Sequence, residues 1–134
     1  MSKRIGSHLD SLVYDASVAA EALTKLTPKT IPITKDEALR VGEDFAALVR
    51  KRIDPDARVY VFGSTVKGEA HANSDIDIAV ISDVFGNDVM KAYVVLSMLA
   101  NEVCWDIEIH AIAPVDWLKG DPHVYEIKKW GIPA

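Results

Sequence analysis

The chain has 134 residues, with 15 Lys and Arg against 20 Asp and Glu, for a formal charge of −5. With 49% hydrophobic and 26% charged residues, it has the composition of one globular domain and not of a disordered chain. A single cysteine, Cys104, and an acidic balance exclude a disulfide scaffold and a passive nucleic-acid coat.

No apolar run approaches the ~20 residues of a membrane-spanning helix. No signal-type apolar stretch follows the opening Met-Ser-Lys-Arg, so a soluble cytoplasmic protein with no membrane partner is the expectation. The charge is uneven. Residues 1–58 hold ten basic and nine acidic side chains, whereas residues 59–134 hold five and eleven.

Ser7 and Asp10 form a helix-start pattern, and Leu9, Leu12, Val13, Ala16, Ala20, Leu23 and Leu26 recur at helical spacing. Pro28 and Pro32 end that helix, which makes residues 1–35 an N-terminal helical extension. Thr34 and Glu37 form a capping box for a second helix, with Ala38, Val41, Phe45, Leu48, Val49 and Ile53 as its apolar stripe. Asp54-Pro55-Asp56 is a turn.

The period then changes. Arg58 to Phe62 reads as a short buried strand ended by Gly63. A polar stretch runs from Ser64 to Ser74, and Ile76, Ile78, Val80 and Ile81 mark a second strand that carries Asp75 and Asp77. A third helix is expected over 88–103, with Val89, Tyr93, Leu96, Leu99 and Ala100 on one face. Trp105 to Ile112 alternates strictly and reads as a third strand. Two short helices follow, near 115–119 and 123–130. The pattern is α+β, a small mixed sheet flanked by helices.

Side chains alternate across a strand, so Asp75 and Asp77 share a face. Two adjacent carboxylates repel each other, and a hard divalent cation such as Mg²⁺ relieves that cost. On the third strand Asp106, Glu108 and His110 share a face, while Ile107, Ile109 and Ala111 share the other. If the two strands are neighbours, about 4.8 Å apart, their acids can meet over one or two cations. His110 can reach the same place. Phe62-Gly63-Ser64-Thr65-Val66-Lys67-Gly68 is a strand end opening a helical turn, where backbone N–H groups and the Ser64 hydroxyl can hold phosphate oxygens. Cys104, beside an apolar helix end, reads as buried, and Trp117, Tyr125 and Trp130 read as packing residues.

Gly63-Ser64, ten intervening residues and then Asp75-Ile76-Asp77 resembles the signature of nucleotidyltransferases of the DNA polymerase β superfamily. The size resembles the minimal nucleotidyltransferases, stand-alone catalytic domains often encoded beside a HEPN-type toxin. The likeness covers residues 36–134, taken as the nucleotidyltransferase domain with a polymerase β palm-like fold; the N-terminal helix is extra to it.

The resemblance implies roles. Gly63, Ser64 and Lys67 would hold the triphosphate, and Asp75 and Asp77 would bind two Mg²⁺ ions. A third acid would complete one metal site and help deprotonate the attacking hydroxyl. That acid is Glu108 or Asp106. Glu108 is favoured because Trp105-Asp-Ile-Glu-Ile-His looks like the third-acid strand of aminoglycoside nucleotidyltransferases. Lys67 departs from the Arg that minimal members often carry before the second glycine, and it lacks a bidentate fork.

The implied activity moves a nucleoside monophosphate, AMP from ATP, to an acceptor hydroxyl. For the minimal subgroup it implies an antitoxin that acts on a HEPN-type toxin; an RNA acceptor and a homo-oligomer stay open. The alternative is a non-catalytic nucleotide-binding or partner-binding module with a vestigial site.

Overall fold

The computed structural model describes residues 31–134. The helix expected over residues 7–26, and with it the proposed extension, lies outside the described residues. Thr34 caps the first described helix, α1 (Lys35–Arg52). Its side chain accepts from the Glu37 N–H while the Glu37 carboxylate accepts from the Thr34 N–H, which completes the capping box. Asp36 and Glu37 in the first turn and Arg50, Lys51 and Arg52 in the last complement the helix dipole.

After a turn at Asp54 come β1 (Arg58–Phe62), a single helical turn α2 (Ser64–Lys67) and β2 (Ile76–Ile81). A 3₁₀ turn at Asp83–Phe85 leads into α3 (Val89–Ala100), then β3 (Ile107–Ile112), α4 (Pro114–Lys119), α5 (Pro122–Trp130) and the two-residue β4 (Ile132–Pro133). Pro114 and Pro122 each sit in the first helical turn, where a missing N–H costs nothing. No helix among the described residues is long and apolar enough to cross a membrane.

The sheet order is β3-β2-β1-β4. β1 pairs antiparallel with β2 and with β4, while β2 and β3 run parallel. The parallel pair needs a crossover, and α3 supplies it. The fold is therefore α+β with a four-stranded mixed sheet, as the alternation of periods implies.

The pleat divides the sheet into two faces. Val59, Val61, Ile76, Ile78, Val80 and Ile109 point to one face and pack against Phe45 and Val49 of α1 and Leu96 and Leu99 of α3. Gly42 of α1 is required there, because a Cβ would collide with the Val61 side chain. Phe62, Ala79, Ile81 and Ile112 point to the other face, under Trp117 of α4 and Val124 and Ile127 of α5.

Three details differ from expectation. On α3, Ala92, Leu96, Leu99 and Ala100 are buried, whereas Val89 and Tyr93 are largely exposed. The helix is apolar on nearly every side, so its composition cannot select the inward face. Cys104 is half-buried in the turn after α3, where its Sγ accepts the Asp106 N–H. Tyr125 and Trp130 are exposed by 61% and 47%, so of the three aromatic residues expected to pack, Trp117 alone is buried.

Candidate active site

The site begins with a row across the sheet. Phe62 pairs with Asp77, and Asp77 pairs with Glu108, so three neighbouring strands place one residue each side by side. By the pleat all three share the face covered further along by α4 and α5. The next row on that face is Tyr60, Ala79 and His110.

Ala79 is too short to separate the imidazole from Asp77. His110 Nε2 lies 3.0 Å from Asp77 Oδ1 and 3.8 Å from Glu108 Oε2. Asp77 and His110 are each about one-fifth exposed and Glu108 about half, so the group is open to solvent on the Glu108 side. The Phe62 and His110 rings meet edge to face at 4.8 Å between centroids, and the ring of His123, from the start of α5, has its centroid 5.0 Å from that of His110.

Gly63 closes the row. Its φ of +85° and ψ of −159° are open to glycine and strained for other residues. A Cβ there would also strike the Asp77 carboxylate. The glycine thus meets two demands at once, a backbone turn and a close approach to an acid.

The ten-residue interval acquires a physical meaning from the antiparallel register. The register closes at the Phe62–Asp77 pair, and the chain between them passes through Gly63, α2 and Ser74 before it reaches Asp75. The loop between them folds back on itself. The Ser64 hydroxyl donates to Ser74 Oγ at 3.3 Å, and the His71 N–H donates to the same oxygen at 2.9 Å. The glycine-serine turn and the acid pair are therefore two ends of one hairpin.

The other candidate residues fall around this row. Asp75 and Asp106 each lie one residue before their strands, and neither belongs to the cluster of Asp77, Glu108 and His110 whose ligand atoms lie within 4.8 Å of one another. The Asp106 carbonyl accepts the Ile76 N–H at 2.7 Å. Lys67 reaches away along α2 to α5, where its ammonium bonds Glu126 Oε2 at 2.9 Å and lies 5.4 Å from the centre of the Trp130 ring. The hydrogen bond to Glu126, helped by that carboxylate's charge, holds the Lys67 ammonium above its usual range. His123 had no signal in the sequence, since only the packing of α5 on the sheet brings it beside His110.

Among the described residues, Asp77, Glu108 and His110 are the one cluster of three or more side chains placed to ligate a cation. Their donor set, two carboxylates and an imidazole, fits a divalent metal.

This arrangement, a mixed sheet with acids on adjacent strands beneath a glycine turn, defines a class. A family profile described as a nucleotidyltransferase domain matches residues 45–129, more than half of the chain. The chain belongs to that family. No curated protein matches it significantly. Among solved structures it is similar to one described as "Crystal structure of the toxin-antitoxin with AMP-PNP", with 28% identity over 69% of this chain and 70% of that one and a TM-score of 0.47.

Proposed function

We propose that the chain is a divalent-metal-dependent nucleotidyltransferase that moves AMP from ATP to an acceptor hydroxyl. The observation that carries this reading is the pairing of Asp77 with Glu108 on parallel strands, directly beneath a glycine whose missing side chain makes room for the Asp77 carboxylate. A purely structural sheet has no need of two carboxylates side by side.

In this reading Asp75, Asp77 and Glu108 hold the metal, Mg²⁺ by the resemblance to the superfamily. Asp106 takes the place of Glu108 if the third acid lies nearer the start of the strand. A metal held by these side chains would supply positive charge to neutralise the phosphates during displacement. Gly63 and Ser64 hold the triphosphate by its oxygens, and Lys67 contributes a positive charge on leaving Glu126. Glu108, the more exposed of the two clustered acids, accepts the proton of the attacking hydroxyl. The new bond joins that oxygen to the α-phosphorus, the bond to the bridging oxygen breaks, and pyrophosphate leaves with its electron pair. Positioning and charge neutralisation do most of the work.

The acceptor is a hydroxyl on a HEPN-type toxin, for which this chain serves as antitoxin. An exposed apolar surface on α3, formed by Met90, Val94 and Met98, supports a protein partner, since isolated domains rarely leave such patches uncovered.

The test is pyrophosphate release from ATP and Mg²⁺ with the toxin as acceptor. Asp77→Asn is expected to lower the rate by at least about a hundredfold with an unchanged fold. Wild-type rates in that variant would sink the assignment. Glu108→Gln and Asp106→Asn assayed together identify the third acid, with the larger loss expected at Glu108.

A further inference from the structure

We propose that His110 is itself a metal ligand, so that Asp77, Glu108 and His110 form a mixed nitrogen and oxygen site that prefers a first-row transition ion such as Mn²⁺ or Co²⁺ to Mg²⁺. The proposal rests on the reading above, in which Asp77 and Glu108 hold a metal, and goes beyond it by adding a nitrogen donor and a metal preference.

The separations carry the argument. Around an ion with bonds of about 2.1 Å, ligands at right angles stand about 3.0 Å apart and opposite ligands about 4.2 Å apart. His110 Nε2 is 3.0 Å from Asp77 Oδ1, which matches the right-angle edge. It is 3.8 Å from Glu108 Oε2, between the two limits. All three ligand atoms lie within 4.8 Å of one another, so one ion can reach them with small side-chain rotations. The ring is already held in place by Phe62 at 4.8 Å and His123 at 5.0 Å, which limits the side-chain freedom lost on ligation.

The chemistry then sets the preference. Mg²⁺ favours oxygen donors, whereas an imidazole raises affinity along the order Mn²⁺, Fe²⁺, Co²⁺. Replacing one oxygen with His110 Nε2 therefore shifts selectivity more than it shifts overall binding of hard cations.

The experiment titrates the full chain with Co²⁺ and, separately, with Mg²⁺, each as the metal alone, by calorimetry and by the visible absorption of bound Co²⁺. His110→Asn keeps a polar group able to bond Asp77 but supplies no imidazole; His110→Ala removes both. Expected is a loss of Co²⁺ affinity of about tenfold or more in both variants, with a changed Co²⁺ spectrum and Mg²⁺ affinity within about threefold of wild type. An unchanged Co²⁺ affinity and spectrum in His110→Asn overturns the proposal and leaves His110 as a hydrogen-bond partner of Asp77. Equal losses for both metals also overturn it, since they reveal no nitrogen-based preference. Asp77→Asn serves as the separate check: if it retains wild-type affinity for both metals, the reading of the acids as metal ligands fails, independently of His110.

Discussion

The two faces of the same sheet are built to opposite rules. On β2, Ile76, Ile78 and Val80 point to α1 and α3 and are buried almost completely. One residue out of phase, Asp77, Ala79 and Ile81 point the other way, and the first of these is a carboxylate at the uncovered end of its face. One face is closed by two helices. The other is closed by α4 and α5 over part of its length, and the acid row sits where that cover ends. Strand alternation thus lets six consecutive residues serve a dry core and a polar site at once, with no conflict between them.

The comparison can be broken from either side. The largest expected effect is on the dry face. Phe45→Ala removes a fully buried ring and should cost about 3–5 kcal/mol, read as a lower urea midpoint, while the fraction still folded keeps its metal affinity. A matching loss of metal affinity in that folded fraction would mean that the faces are not independent.

Gly63→Ala comes next and strikes the polar face. The backbone conformation should cost about 1–3 kcal/mol, and displacement of the Asp77 carboxylate should reduce metal binding beyond what the stability loss explains. Calorimetry on the folded variant checks this; normal metal affinity would show that the carboxylate finds another path.

The smallest effect lies remote from both faces. Thr34→Ala should cost about 1 kcal/mol with no change in metal binding. Glu37 offers a pH readout of the same cap. The Thr34 N–H, and then the Thr34 side chain, hold its carboxyl below the usual 4.5. Its contribution is therefore present above that ordinary value and lost as pH falls through the lowered one. Acid titration of wild type against Glu37→Gln, which keeps the acceptor but not the charge, should show the difference shrinking below pH 4.5.

The readable part of the sequence is the part governed by local rules. The capping box at Thr34, strand β1 at Arg58–Phe62 and strand β2 at Ile76–Ile81 each announce themselves through near neighbours. The glycine-serine to acid interval is also local, because it is the length of one hairpin. Residues that meet through tertiary packing are less readable. His123 joins His110 only through the docking of α5, and Glu126 takes Lys67 across the same gap. Strand alternation places His110 on the face of Glu108, but the approach to Asp77 depends on Ala79 being small and on β2 and β3 being neighbours. The inward face of α3 is hidden for a different reason, since a helix with apolar residues on almost every side offers no contrast to read.

The parallel ladder between β2 and β3 has one more consequence. Six residue pairs, from Ile76 with Ile107 to Ile81 with Ile112, lock the two strands in register. The gap between Asp77 and Glu108 is therefore measured by the ladder and not by the loops that enter or leave it. The connection through α3 can gain or lose residues without altering that gap. Local fraying of the crossover should then leave the acids in place, whereas any motion that separates them must strip the edge strand β3 from β2. Amide exchange would show this as one shared opening event for β2, β3 and the site, so that the protein loses its chemistry and its architecture in the same step.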